Sequence, residues 1–187
     1  MRKRGFTLVE LAIVLVIIGL ILGAILKGQE LINNAKMKRL YNQYREVLAA
    51  IYTYYDRYGA FPGDDPYANN RWSTTQGDGD GLIESFNINC GATSSGESCF
   101  LWHHLRLANI LTGPLDNSAP KNPYGGSVGV GYTIVQGLAT QWIGFDNVPG
   151  DVCVSIDQQY DDGNYTTGSI RGYVPYTNAY VDLYFRL

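Results

Sequence analysis

The chain has 187 residues and a formal net charge of −3, from 14 Lys+Arg against 17 Asp+Glu, and 45% of it is apolar. That length accommodates one ordinary domain with a modest appendage. The apolar share excludes a disordered or collagen-like chain, and the near-neutral total gives no case for a nucleic-acid binder. Three Cys are too few for a disulfide-dense mini-domain and do not fit a four-Cys zinc pattern.

The averages conceal a segregation along the chain. Residues 1–45 carry eight basic and two acidic side chains, a net of +6, and residues 46–58 sum to −1. Residues 59–187 carry five basic and thirteen acidic side chains, a net of −8. A basic end joined to an acidic body suggests a membrane-contacting end and a solvated domain.

Apolarity is divided in the same way. Residues 6–26 read FTLVELAIVLVIIGLILGAIL, with Glu10 as the only charge. A bilayer core needs about 20 helical residues, so this run is long enough to span it. Arg2, Lys3 and Arg4 precede it, which places the N-terminus in the cytoplasm by the positive-inside rule. The run exceeds the roughly 7–15 apolar residues of a secretory signal, and no small-x-small cleavage site follows, so a retained segment is expected. Glu10 is out of place there, because a carboxylate in a spanning helix costs roughly 2.5–3.5 kcal/mol at the bilayer centre. It lies near the headgroups or awaits a positive group from another molecule.

The string Gly5-Phe6-Thr7-Leu8-Val9-Glu10, after a basic leader and before an apolar helix, resembles the class III signal of type IV pilins and type II secretion pseudopilins. The resemblance implies cleavage between Gly5 and Phe6 by a prepilin peptidase on the cytoplasmic face and N-methylation of Phe6. It also implies a partner for Glu10, the new amino terminus of a neighbouring subunit. A buried carboxylate and a buried ammonium are tolerable together and expensive apart. Many family members have a proline near the end of the apolar run. Here Gly19, Gly23 and Gly28 stand instead, as soft points of the helix or as small residues for close helix packing.

Residues 31–58 contain neither Pro nor Gly. Leu31, Ala35, Leu40, Tyr44, Val47/Leu48, Ile51, Tyr55 and Tyr58 recur mostly at three- or four-residue steps, which marks one helical face. Gly59 and Phe61-Pro62-Gly63 end the helix. Six of the fifteen tyrosines fall in residues 41–58, where a ring with a wet hydroxyl suits a helix–sheet boundary. The expected division is a cleaved leader at 1–5, a membrane or filament-core helix at 6–27, an amphipathic helix at 28–58 that continues into the head, and a globular head of loop and antiparallel sheet at 59–187. With the strands below, the fold class is α+β: a pilin fold whose long N-terminal helix packs on a small antiparallel sheet.

Residues 59–98, rich in Gly, Asp, Asn, Ser and Pro, read as a long irregular segment that must be stapled or hold something. Gln76-Gly77-Asp78-Gly79-Asp80-Gly81-Leu82-Ile83-Glu84 resembles a calcium loop. Gln76, Asp78 and Asp80 take the first ligand places, but Asn87 stands where an EF-hand has its bidentate Glu, so Glu84 is the closing candidate. The alternative is an Asp-Gly turn with solvated acids. The resemblance places the head outside the cytoplasm, where Cys90 and Cys99 can oxidise. Closing their ten-residue loop would stabilise by a little under about 3 kcal/mol. Cys153 is then an apolar filler in Val152-Cys153-Val154, or the partner of Cys90 or Cys99.

Residues 99–111 place Leu101, Trp102, Leu105, Ala108 and Leu111 on one helical face, and the adjacent His103 and His104 point too far apart to chelate one metal. A GDGDG loop followed by a Trp-x-His-Leu helix also resembles a subgroup of prepilin heads. Strand-like runs follow at 128–135, 139–145, 152–156, 169–173 and 180–185, as in an antiparallel meander. Asp157, Asp161, Asp162 and Asn164, in a strand connection, form a second and weaker calcium candidate. Pseudopilins hold calcium in the C-terminal loops of the head, but no motif here matches theirs.

The chain lacks Gly-x-Ser-x-Gly, His-Glu-x-x-His and a Cys–His pair at metal spacing, so no catalytic residue is assigned and an enzyme is not expected. The expected role is a structural subunit of a type IV pilus-like filament, with a secretion pseudopilin or a minor pilin with an adhesive head as alternatives. Expected partners are further copies of itself, related pilins, prepilin peptidase and an inner-membrane assembly platform, with calcium the only cofactor candidate. The expected location is the bacterial inner membrane before assembly, then an extracellular filament or periplasmic pseudopilus.

Overall fold

A computed structural model describes residues 7–187. In chain order the elements are helix α1 (Leu8–Tyr58), α2 (Ala68–Trp72), α3 (Glu97–Leu107), strands β1 (Val128–Val135) and β2 (Leu138–Pro149), helix α4 (Gly150–Tyr160), and strands β3 (Ile170–Gly172) and β4 (Tyr180–Arg186). This is an α+β, pilin-like architecture. The chain divides into two compact units, one up to Lys38 and the other Arg39–Leu187.

In the first unit α1 is unbroken through Gly19, Gly23 and Gly28. Its apolar side chains from Leu8 to Leu26 are exposed. By length and composition α1 can cross a membrane.

The second unit begins within α1, at Arg39, and burial along the helix starts at Leu40. The buried stripe is Leu40, Gln43, Val47, Ala50, Ile51 and Tyr54. It is rotated from the expected face, so Tyr55 is exposed and Tyr54 is the buried ring. Tyr44 stacks on Phe185 of β4, with ring centroids 4.3 Å apart, and Tyr41 stacks on Tyr160 of α4 at 3.6 Å. These two tyrosines do cover the boundary between helix and sheet.

The sheet is fully antiparallel in the order β1-β2-β4-β3, with Val130 opposite Ile143, Phe145 opposite Leu183 and Ile170 opposite Phe185. The β1–β2 hairpin turns through Gln136 and Gly137, both at positive φ (47° and 76°), as a two-residue turn between right-twisted strands requires. Two expectations are corrected here. The sheet is not a simple meander, since β4 lies between β2 and β3. Residues 152–156 are not a strand but part of α4. The β-branched residues of Val152-Cys153-Val154 disguise a helical pattern, in which Val152, Cys153, Ile156 and Asp157 are buried at i, i+1, i+4 and i+5.

The segment 59–98 contains α2 and is stapled by a disulfide between Cys90 and Cys99, whose Cα atoms are 5.4 Å apart. Cys153 is unpaired and buried, and burial pushes its thiol pKa well up, which makes it an inert apolar filler. Replacing both Cys90 and Cys99 with Ser is expected to lower the unfolding free energy by about 3 kcal/mol in a denaturant titration. An unchanged midpoint would show that other contacts alone hold the loop.

Candidate functional site

At the start of α1, Thr7 and Glu10 cap the helix reciprocally. The Thr7 N–H and hydroxyl donate to Glu10 Oε2 at 2.8 and 2.9 Å, and the Glu10 N–H donates to Thr7 Oγ1 at 3.3 Å. This is the Thr-x-x-Glu capping box, which satisfies donors that would otherwise be orphaned at a helix N-terminus. Glu10 therefore has a local task as well, one that the Thr7-x-x-Glu10 spacing before an apolar run encodes. Gly5 and Phe6, the expected processing residues, lie outside the described residues.

In the second unit, the densest polar site is built on Gly63-Asp64-Asp65, directly after the Phe61-Pro62 break. Gly63 has φ +94°, and a Cβ there would run into the Glu97 carbonyl, so only glycine fits. Its N–H donates to His104 Nδ1 at 3.0 Å, which leaves Nε2 as the protonated nitrogen, donating to the Thr75 carbonyl at 2.7 Å. Burial holds this imidazole neutral by lowering its pKa to about 4. His103 faces elsewhere, with Nδ1 3.2 Å from Thr74 Oγ1. The two histidines are thus structural, and divergent as their adjacency implied.

Asp65 is fully buried and fully engaged. It accepts the Tyr54 hydroxyl at 2.6 Å and the Tyr67 N–H at 2.9 Å, and it forms an ion pair with Arg71. Its carbonyl accepts the Gly77 N–H at 3.1 Å. Asp64, also buried, receives the next loop: Gly79 and Asp80 donate to Oδ1 at 2.7 and 3.1 Å, and Gly81 donates to Oδ2 at 3.0 Å. Gly79 and Gly81 have φ +79° and +91°, which lets successive N–H groups converge on one carboxylate. From α3, Glu97 accepts the N–H groups of Asp78 at 3.2 Å and Glu84 at 2.9 Å. Desolvation by burial raises the pKa of both Asp64 and Glu97, against the lowering effect of the backbone donors.

The Gly-Asp-Gly-Asp-Gly stretch therefore turns its N–H groups inward, toward two carboxylates from outside the motif. Of the sequence-derived ligand carboxylates, only Asp78 joins a group able to hold a cation: one oxygen each of Asp64, Asp78 and Glu97 lie within 4.8 Å of one another. The carboxylates of Asp80 and Glu84 are not in that group. Asp80 Oδ1 instead accepts the Leu82 N–H at 2.8 Å, and Asp78 Oδ1 the Asp80 N–H at 3.2 Å. Asp64, Asp65 and Glu97 were missed by the sequence reasoning. The signal for the first two was there, as an acidic pair between two prolines.

The second acidic set lies at the end of α4 and in the loop after it. One carboxylate oxygen each of Asp157, Asp161 and Asp162 lie within 4.8 Å of one another. Asp157 accepts the Tyr176 hydroxyl at 2.7 Å and the Gly163 N–H at 3.2 Å. Asp161 Oδ2 accepts Ser169 and Ile170 N–H groups at 2.6 and 2.7 Å, and Asp162 accepts the Asn164 N–H and the Thr167 hydroxyl. These bonds tie the 161–169 loop to the start of β3.

Residues 1–26 match the family model of the prokaryotic N-terminal methylation motif, a class III signal typical of type IV pilins and pseudopilins. No curated protein and no solved structure matches the chain. The motif and the apolar helix fit a membrane-anchored protein of pilin or pseudopilin type, processed by prepilin peptidase.

Two outcomes are expected of the Asp64 site. Asp64→Ala deprives the Gly79 and Gly81 N–H groups of their acceptor, leaving Asp80 its bond to Asp78 Oδ1, and should destabilise the head by about 2–4 kcal/mol, measured by chemical denaturation, whereas Asp80→Ala should cost far less. The folded-state pKa of His104 lies below its ordinary 6.5, so the unfolded chain takes up that proton first. Its contribution is complete above pH 6.5 and is lost as pH falls toward 4, amounting to about 3 kcal/mol. The raised values of Asp64 and Glu97 act in the opposite sense, since the folded state binds their protons first and mild acid then favours folding. Comparison with His104→Gln isolates the histidine: the wild-type advantage should shrink between pH 6.5 and 4. A constant advantage would contradict the assignment.

Proposed function

We propose that the chain is a structural subunit of a type IV pilus-like filament, assembled through α1 after cleavage between Gly5 and Phe6 and N-methylation of Phe6. The observation that carries this is a methylation-type N-terminus followed by a membrane-length helix whose apolar side chains are exposed all round. A helix apolar all round is stable in lipid or in a bundle of like helices, and not in water. In the membrane, Glu10 is tolerated partly because Thr7 shares its charge through two hydrogen bonds on Oε2. In the filament, the amino group of the next subunit supplies the missing positive charge. Packing such helices side by side keeps their apolar surface from water, with the acidic heads outside.

A second arrangement, a periplasmic pseudopilus of a type II secretion system, is favoured by the carboxylates gathered in the C-terminal loop of the head, Asp157, Asp161 and Asp162. Calcium belongs to the proposal at Asp64, Asp78 and Glu97 first, and at that loop second. Carboxylates held close together and partly desolvated are stabilised by a cation as they are by a proton.

The experiment is a pair of substitutions. Glu10→Gln keeps the acceptor for Thr7 and removes the charge, while Glu10→Ala removes both. Both variants should remain in the membrane fraction, and surface filaments recovered by shearing should fall by about tenfold or more. Normal filaments from Glu10→Gln would refute the charge-pairing role. For calcium, the melting temperature should rise with millimolar calcium and fall with chelator at pH 7; identical curves would remove calcium from the proposal.

A further inference from the structure

Where α1 ends, a cleft of about 450 Å³ opens against the 77–81 loop. Its walls include the rings of Tyr55, Tyr58, Phe61 and Tyr67 and the carboxylate of Asp80. Tyr67 is 60% exposed and Tyr55 43%, and the Asp80 side chain is exposed too. Four of its backbone donors are committed: Gly79, Asp80 and Gly81 give their N–H groups to Asp64, and Gly59 gives its own to the Tyr55 carbonyl at 2.8 Å. The cleft therefore offers carboxylate and aromatic faces, with few donors beyond the phenols. A sugar needs donors and acceptors together, whereas a cation needs what is present. Tyr58 already serves in this way, carrying the Arg71 guanidinium 4.6 Å from its ring centroid.

We infer that this cleft receives a guanidinium or ammonium group from residues 39–45 of a second copy of the chain. The inference rests on the filament reading above. The chain supplies the matching charge, since residues 27–45 hold five basic side chains to one acidic, against −8 over residues 59–187. Like-charged heads brought together in a polymer repel unless basic surface lies between them. Arg39 and Arg45 are exposed on α1, and Arg39 is held by a surface pair with Glu46 at 2.6 Å, which exchanges readily. Arg45 lies ten residues and Arg39 sixteen before Tyr55, so a parallel copy shifted along the helix by about 15–24 Å brings them to the cleft. No copy of the chain can satisfy its own cleft in this way, because the same rigid helix holds both parts apart.

The test uses filaments from cells producing the full chain with Ala60→Cys, in the cleft wall, and either Asn42→Cys, within the basic segment, or Glu46→Cys, directly after it. Within one chain these positions are separated by about three turns of α1 or more, far beyond the roughly 7 Å limit between Cα atoms of a disulfide, so any bond is between subunits. Mild oxidation should produce a ladder of linked subunits with at least one of the two pairs, and none with Ala60→Cys alone. Asp80→Lys should lower filament yield about tenfold with membrane levels unchanged, and Arg45→Glu or Arg39→Glu added to it should restore the yield. Abundant wild-type filaments that give no ladder with either pair, or that Asp80→Lys leaves undiminished, would overturn this interface while sparing the filament. Absence of wild-type filaments would remove both.

Discussion

A carboxylate closed off from water must be met by donors, and in this head two consecutive carboxylates are met by donors from almost every neighbouring segment. Asp65 gathers the end of α1 through Tyr54, and α2 through Arg71. Asp64 gathers the glycine-rich loop through three N–H groups. One residue earlier, Gly63 hands its N–H to His104 and so anchors α3. Only the Asp65 side of its pair with Arg71 is buried, so losing Arg71 leaves a buried carboxylate with the Tyr54 hydroxyl and the Tyr67 N–H as its remaining donors. The long irregular segment between α1 and α3 is thus ordered from a single tripeptide, with the Cys90–Cys99 disulfide closing its far end.

That arrangement changes the sense of the Gly-Asp-Gly-Asp-Gly motif. Alternating Asp and Gly suggest oxygen ligands pointing at a cation. Here the glycines at positive φ turn the backbone donors inward, and the motif binds anionic side chains of its own chain. Carboxylates that do converge, Asp64, Asp78 and Glu97, come from three separate segments. Sequence spacing within one loop could not have found that group, because two of its three members lie outside the loop.

The parts legible in the sequence were those with a local cause. The basic leader, the apolar run and Glu10 could be read directly, as could the amphipathic continuation, the disulfide pair and the strands of the β1–β2 hairpin. Illegible parts depended on tertiary context. α4 was mistaken for a strand because Val152 and Val154 favour extended backbone, while the burial of Ile156 and Asp157 at helical spacing overrode that preference. The place of β4 between β2 and β3 is a matter of sheet pairing that no single segment encodes. The rotation of the buried stripe to Tyr54 follows from its hydroxyl meeting Asp65, which outweighs the equivalent apolarity of Tyr55.

Glu10 and Asp64 solve the same problem in different solvents. Each is an acid where a bare charge is expensive, and each is first made tolerable by hydrogen bonds from nearby backbone and hydroxyl groups. In the head three N–H groups of the chain share the charge of Asp64, although burial still raises its pKa. At the start of α1 one Thr donates both bonds to Glu10. Under the filament reading proposed above, that difference is what would draw the amino group of a neighbouring subunit to Glu10. The uneven charge of the chain, +6 over residues 1–45 and −8 over residues 59–187, extends the same logic outward from the membrane. In the proposed filament such acidic heads would repel one another, and the basic part of a neighbouring helix is the charge that would offset the repulsion.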